Sequence, residues 1–173
     1  MTPQLTCLFR EGLLLLEPYT TDMVTEAHVA WLNNPEIVQF SEQRHYAHTI
    51  KSQQRYIESF PEDSHIWLIR EEDVSDVGTI TAYIDRPNQL ANMGILIGQK
   101  SIWGRSYGLH AWELVMDFLL HAGIRKIEAG CMASNKRMAN LLDHAGFSCE
   151  AVVPNHFLLN KQPQDMLLFG IVL

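Results

Sequence analysis

Residues 93–131 read MGILIGQKSIWGRSYGLHAWELVMDFLLHAGIRKIEAGC. The aliphatic run Ile95-Leu96-Ile97 suits a buried strand, and a glycine-bearing loop over residues 98–104 follows it. Leu109, Trp112, Met116 and Leu119 then recur on one face of a helix that Gly123 ends. Residues 124–131 read as a second strand. A strand, helix and strand of this length predict a parallel pair with a right-handed crossover, which sets the rest of the chain around a sheet.

Working outward, residues 66–69, 77–84 and 93–97 are apolar stretches separated by the acidic turn Glu71-Glu72-Asp73 and the loop Asp85-Arg86-Pro87-Asn88. Such short connections favour antiparallel neighbours. Upstream, residues 13–17 read as a buried strand ended by Pro18, and Thr20-Thr21-Asp22 supplies helix-capping side chains. Met23, Val24, Ala27 and Trp31 follow at helical spacing until Asn33-Asn34-Pro35. A second helix is expected from about residue 49 to 60, stopped by Pro61. Downstream come a helix over 135–144 stopped by Gly146, and strands over 147–153 and about 166–172. The order β-α-α-β-β-β-α-β-α-β-β predicts an α/β (α+β mixed) fold, a central mixed, mostly antiparallel sheet with helices on both faces, in a single domain over 1–173.

Composition narrows the function. The chain has 173 residues, 47% of them apolar and 19% charged, enough for one domain with a real core. A net charge of -7 offers no field for a phosphate backbone, so nucleic acid is not an expected partner and an amine substrate suits the balance better. Cys7, Cys131 and Cys149 are odd in number and widely spaced, which argues against a disulfide framework and a zinc site. The apolar run 13–16 is closed by Glu17 without a basic leader, and no segment nears the roughly 20 apolar residues that span a bilayer. A cytoplasmic protein with no membrane partner is expected.

The loop Trp103-Gly104-Arg105-Ser106-Tyr107-Gly108-Leu109 enters the helix with two glycines. Unpaired amides and the positive dipole end make such a turn an anion site, although glycines that merely relieve a helix entry would look the same. The same residues spell G-x-S-x-G, with Ser106 in the nucleophile slot of an α/β-hydrolase. That assignment fits badly: Gln99-Lys100-Ser101 separate strand from turn, and Asp143-His144 and His156…Asp165 do not give the Ser, acid, His order in usable form.

With these residues in hand, the chain resembles the GNAT superfamily of acetyl-CoA-dependent N-acetyltransferases, in its ribosomal-protein and amino-sugar acetyltransferase-like branch. The resemblance rests on Trp31-Leu32-Asn33-Asn34-Pro35-Glu36, Met93-Gly94-Ile95-Leu96-Ile97, the loop from Trp103 to Gly108, Asn135 and Ala145-Gly146-Phe147, which fall in the family's order. The family's pyrophosphate signature Q/R-x-x-G-x-G/A lands on Trp103, Gly104, Arg105, Ser106, Tyr107 and Gly108, with Trp103 and Ser106 departing from it. The resemblance implies that amides from Arg105 to Leu109 hold the pyrophosphate of acetyl-CoA. It further implies that Ile95, Leu96 and Ile97 pair with the pantetheine arm like an added strand, and that Asn135 approaches the thioester.

Transfer to an amine needs the amine neutral, although a free alkyl ammonium has a pKa near ~10. The position at which many relatives carry an acidic Tyr is Leu142, the Ser used by others is Met138, and the strand position of the usual Glu falls in Ala91-Asn92-Met93-Gly94, without a carboxylate. Asn135, Glu42 and His45 are the catalytic candidates, with Arg44, Tyr83, Asp85 and His156 as further polar groups; a solvated loop over 42–45 is the competing reading. His45-x-x-His48 has no third ligand nearby, so no metal is expected. The acceptor is an amino sugar nucleotide, a protein N-terminal amine or another small amine, a homodimer is compatible, and the alternative is an acyl-CoA-binding module that has lost turnover.

Overall fold

The computed structural model describes residues 1–9, 12–71 and 75–173, with the backbone alone at Phe9. Eight strands form one sheet in the order β1-β2-β3-β4-β5-β6-β8-β7. They are β1 (Leu5–Phe9), β2 (Gly12–Pro18), β3 (His65–Glu71), β4 (Ser75–Asp85), β5 (Leu90–Ile97), β6 (Lys126–Met132), β7 (Ser148–Leu159) and β8 (Gln162–Val172). The α-helices are α1 (Glu26–Leu32), α2 (Ile50–Glu58), α3 (Tyr107–His121) and α4 (Lys136–His144). All ladders are antiparallel except β5 with β6. Residues Glu72 and Asp73 of the expected acidic turn lie outside the described residues.

Both faces of the sheet are covered, and β3 shows it in its alternation. Trp67 and Ile69 enter the larger core with Leu14, Leu16, Ala111, Trp112, Val115 and Leu119. Ile66 and Leu68 point the other way, into a second cluster with Tyr19, Val24 and Val29 against which Ile50, Ile57 and Phe60 pack. Helices α3 and α4 therefore lie on one face, α1 and α2 on the other. The buried stripe of α3 is Ala111, Trp112, Val115 and Leu119, rotated from the expected one: Met116 is only partly buried and Leu109 lines a cleft.

Three local readings are corrected. The strand β1 was not expected; its five residues carry no clear period, and pairing with β2 from Leu5↔Leu16 to Phe9↔Gly12 fixes it. Thr20-Thr21-Asp22 leads into a 3-10 turn over Thr21–Met23, and the cap of α1 is Thr25, which accepts the His28 amide at 3.4 Å. The last hairpin is longer than its apolar runs: Pro154 and Asn155 (φ 53°) interrupt β7, pairing resumes at Phe157↔Gln164, and Asn160 and Lys161 turn the chain with φ 51° and 65°.

The feature that shapes the site is a divergence of β5 from β6. They pair only at Leu90↔Lys126, Ala91↔Ile127 and Asn92↔Glu128. Beyond that, β5 stays with β4 as far as Ile97↔Gly78, while β6 stays with β8 as far as Met132↔Met166. One backbone edge of β5 from residue 93 onward thus has no described strand beside it. No helix among the described residues is long and apolar enough to cross a membrane.

His65 is 6% exposed, contacts the rings of Trp67 and Phe118, and bonds Thr2 Oγ1 through Nδ1 at 3.1 Å. Its Nε2 is buried without a partner among the described residues, and burial, with the N-terminal charge and Arg86, holds its pKa below the ordinary imidazole value. A depressed folded-state pKa means that the unfolded chain binds the proton more readily, so stability is full above the unfolded-state imidazole pKa and falls as pH drops through and below it. Chemical denaturation between pH 8 and 5 should show this loss in the native protein and a flatter profile in His65→Phe; an unchanged slope would remove His65 as its cause.

Candidate active site

Two cavities meet on β5. The larger, about 940 Å³, lies between the far end of β5, the loop entering α3 and the start of α4. Its wall takes in Ile95, Leu96 and Ile97, the whole segment from Trp103 to Leu109, and Asn135, so the tertiary structure brings together every residue expected of the cofactor site. The smaller, about 220 Å³, lies beneath α1 and α2. Ser41, Ile95 and Leu96 line both and form the wall the two chambers share.

The entrance to the larger chamber is built by local chain chemistry. A 3-10 turn over Lys100–Ile102 follows β5, and the Trp103 Nε1-H donates to the Ile97 carbonyl at 3.1 Å, tying the loop to the strand end. Gly104 adopts φ +83°, a conformation costly to a side chain, and the Arg105 amide returns to the Ile102 carbonyl at 3.0 Å. Tyr107 is 1% exposed and donates from its hydroxyl to Glu71 Oε1 at 2.6 Å, anchoring the start of α3 to β3. The first hydrogen bond into that helix runs from the His110 amide to the Ser106 carbonyl at 3.0 Å. The amides of Gly108 and Leu109 lie in the first turn of the helix, where no preceding helical carbonyl is available to them, and both residues line the cavity.

The mouth is cationic in an otherwise acidic chain. Arg105, Lys136, Arg137 and His144 line it, and its acidic residue, Glu36, is ion-paired with Lys100. The Arg137 guanidinium lies 4.4 Å from the centre of the Trp103 ring, which places a fixed positive charge beside the amides. Lys136 and Arg137 were not singled out from sequence; their position immediately after Asn135, on the first turn of α4, was the available signal. Gly108 serves packing as much as ligand approach: a Cβ there would lie 3.3 Å from Leu141 Cδ1, 3.8 Å from Ile97 Cγ1 and 3.9 Å from Ile95 Cδ1.

Asn135 caps α4, its Oδ1 accepting the Met138 amide at 3.2 Å, which leaves its side-chain nitrogen as a donor at the cavity wall. Leu142, at the position of the usual Tyr, is fully buried in the core. Ser106 is exposed at the end of the loop and offers no side-chain cap to the helix.

Glu42 and His45 stand outside both chambers. Both are half exposed on a 3-10 turn over Glu42–His45, where Glu42 pairs with Arg44 at 2.7 Å and faces His45 at 3.5 Å. Arg44 reaches on to the Leu158 carbonyl at 3.1 Å and so docks this turn on the final hairpin. Gln43 and Ser41 from the same segment line the smaller chamber instead. Asp85 accepts from the Asn88 amide and side chain and holds a turn, and His156 lies exposed against Phe157. No cluster of His, Cys, Asp or Glu suited to a metal occurs among the described residues.

The smaller chamber is ordered by the segment Trp31-Leu32-Asn33-Asn34-Pro35-Glu36. Asn33 brackets His48, donating to its carbonyl and accepting its amide, each at 2.9 Å. His48 in turn bonds the Gln43 carbonyl at 3.0 Å. The wall carries the amides of Gln43 and Gln53, the hydroxyls of Thr79 and Thr81, and the rings of Tyr19, His28, Trp31 and Tyr56, without a carboxylate. Tyr56 bonds Tyr83 through their hydroxyls at 2.7 Å, and burial with that bond pushes its pKa up. Tyr19 bonds His28 Nδ1 at 2.9 Å, and His28 Nε2 meets Asp76 Oδ2 at 2.7 Å. None of these three was singled out from sequence, because they are distant in the chain and match no motif.

Comparison with known proteins bears on this arrangement. An uncharacterised protein of Methanocaldococcus jannaschii is 29% identical over 137 residues, 73% of this chain; the chain spans about a quarter (26%) of that relative's length. A ribosomal L7/L12 alpha-N-protein acetyltransferase solved with coenzyme A superposes with a TM-score of 0.83 at 16% identity, covering 92% of this chain and 94% of its own. Spermidine N-acetyltransferase from Vibrio cholerae, solved with CoA and spermine, gives a TM-score of 0.78 at 16% identity, with 92% and 95% covered. At those identities the likeness is one of fold. The sequence model of the acetyltransferase (GNAT) domain matches residues 13–148, a span that holds the diverging strands, the amide-lined loop, Asn135 and most of the walls of both chambers, and the chain therefore belongs to the GNAT acetyltransferase family.

Proposed function

We propose that the chain, acting as one domain over 1–173, moves an acetyl group from acetyl-CoA to a primary amine by direct attack in a ternary complex. The observation that carries this is the meeting of the two chambers at Ser41, Ile95 and Leu96. One chamber offers amides and cations to a pyrophosphate and an unpaired strand edge to a pantetheine arm. The other offers a smaller pocket of mixed polar and apolar lining to the acceptor. At their junction the amine nitrogen attacks the thioester carbonyl, a C-N bond forms, the C-S bond breaks, and amide and thiol leave.

Under this proposal the amides of Gly108 and Leu109, with Arg105, Lys136 and Arg137, hold phosphate, and the edge of Ile95, Leu96 and Ile97 pairs with the arm. Asn135 orients the thioester through its side-chain nitrogen and moves no proton. Glu42 and His45, which line neither chamber, are left with a structural role. Two fold neighbours are named for a protein N-terminus and for spermidine. The acceptor chamber here has no carboxylate to meet a second ammonium, so a peptide or hydroxylated amine fits it better than a polyamine. A cytoplasmic setting fits the proposal, with Cys7, Cys131 and Cys149 as free thiols.

The test is calorimetric titration with CoA, followed by thiol release from acetyl-CoA with a panel of peptide amines, amino sugar nucleotides, simple amines and polyamines. Release with a peptide or sugar amine supports the proposal. Binding without release on any amine would favour an acyl-CoA-binding module, a reading that the buried Leu142 at the usual acid position keeps in play. Ser106→Ala should retain activity within about threefold, since it loses a surface hydroxyl and no nucleophile. Labelling of Ser106 by a serine-directed phosphonate would overturn that expectation.

A further inference from the structure

An acceptor ammonium must lose a proton before it can attack, and the strand segment Ala91-Asn92-Met93-Gly94, where the family often carries a Glu as base, has no carboxylate. The acceptor chamber contains a different solution. We propose that Tyr19, His28 and Asp76 form a proton relay that deprotonates the acceptor: Tyr19 touches the amine, His28 stores the proton, and Asp76 positions the imidazole. The proposal rests on the acetyltransferase assignment of the same site.

Three separate elements converge to build it. Tyr19 leaves the end of β2 with its amide bonded to the Ile66 carbonyl at 3.1 Å. His28 lies in the first turn of α1, and Asp76 comes from β4. Tyr19 and His28 are 5% and 3% exposed, yet both line the acceptor chamber, so they are screened from bulk water and open to a bound ligand. The 2.9 Å and 2.7 Å contacts run in series from the phenol through the imidazole to the carboxylate.

The hydrogen assignments follow from chemistry. A carboxylate only accepts, so Nε2 carries the hydrogen toward Asp76, and Nδ1 is left as the acceptor for the Tyr19 hydroxyl. The phenol oxygen then keeps lone pairs for an incoming N-H. Tyr19 does not itself ionise, because burial and the Asp76 charge both push its pKa up. It can only pass a proton on. The ammonium N-H breaks as an O-H forms on Tyr19, while the original Tyr19 O-H breaks as an N-H forms on His28 Nδ1. Neutral amine, intact phenol and imidazolium result, and charge is conserved.

A chain of charged groups continues behind the imidazole. Asp76 Oδ1 lies 2.8 Å from Arg70 Nε, and Arg70 Nη1 lies 2.6 Å from Glu17 Oε2. One guanidinium between two carboxylates leaves one negative charge behind His28. The Trp31 ring of the same helix lies 4.9 Å away, and Ser41, Gln43, Gln53 and Tyr56 from the loop and α2 line the same chamber. No Lys or Arg lines the chamber among the described residues.

A purely structural Tyr-His-Asp chain would tie α1 to β4 and affect stability alone, so the test reads proton transfer. For native protein, Tyr19→Phe, His28→Gln and Asp76→Asn, kcat/KM is measured against pH with an alkylamine and with a weakly basic amine already neutral at pH 7, and CoA affinity is measured by calorimetry. The native alkylamine profile should rise and level off across the range where an imidazole titrates. Tyr19→Phe and His28→Gln should lose on the order of 100-fold with the alkylamine at pH 7, in the usual range for general base loss. Their rates should climb toward the substrate's own pKa, the deficit should shrink to a few-fold with the weakly basic amine, and CoA affinity should hold. Asp76→Asn should move the native inflexion to lower pH. Tyr19→Phe keeps the ring and its packing, so the question survives even if His28→Gln does not fold. Equal deficits with both amines, or variant profiles that match the native one, would overturn the relay while leaving the acetyltransferase assignment intact. A native protein that binds CoA and releases no thiol with any amine would overturn both.

Discussion

Gly98→Ala should nearly abolish acetyl transfer while leaving CoA affinity within a few-fold of native. A Cβ at Gly98 would stand 2.0 Å from Trp31 Cδ2, 2.4 Å from Cγ and 2.5 Å from Cε2. Those atoms sit at the root of a rigid ring and cannot be relieved by a small rotamer change. The ring must leave its place against His28, where the ring centres are 4.9 Å apart, and with it goes one wall of the acceptor chamber. Overpacking of this kind costs about 1–3 kcal/mol of stability. Misplacing an acceptor by about 1 Å costs on the order of 100-fold in rate. Thermal melts and kcat/KM check both effects, and Trp31→Leu in the Gly98→Ala background should recover much of the stability as the clash is removed. A Gly98→Ala protein with native melting temperature and turnover would show that the Trp31 contact is not needed.

Gly108→Val should instead strike the cofactor chamber. Its Cβ would meet Leu141, Ile97 and Ile95 at 3.3 to 3.9 Å, and the two further methyl groups must either push α3 from β5 or fill the space between the diverging strands. CoA affinity should fall about 100-fold, equivalent to ~2.7 kcal/mol, with the fold retained. Gly104→Ala offers a contrast: nothing lies within 4 Å of its Cβ, but φ is +83°. It should cost ~1–2 kcal/mol through backbone strain at a turn rather than by blocking the cleft. Unchanged CoA affinity in a folded Gly108→Val protein would take the pyrophosphate away from this helix entrance.

The grouping of residues along the larger chamber was readable in the sequence because its parts are local. Residues 95–97 and 103–109 lie within fifteen positions of each other, so a strand, a turn and a helix start are enough to assemble them. Asn135 likewise follows directly from the end of a strand into a helix cap. The acceptor side is different in kind. Glu42 and His45 were natural candidates by residue type, yet Arg44 fixes their turn by bonding the Leu158 carbonyl 114 positions away, and the neighbours Ser41 and Gln43 face the chamber instead. No periodicity reports which side of a short turn will face inward.

The sequence by itself determined the alternation of elements from β2 onward and the parallel β5-β6 pair, consequences of hydrophobic period and turn chemistry. Tertiary structure alone decided how far β5 and β6 stay paired, which face of α3 is buried, and that Tyr19, His28 and Asp76 meet. Those outcomes depend on packing and hydrogen bonds between separate elements, such as His28 with Asp76, 48 positions apart, whose formation is settled by the closing of the whole sheet and its two helical layers rather than by any one stretch of chain.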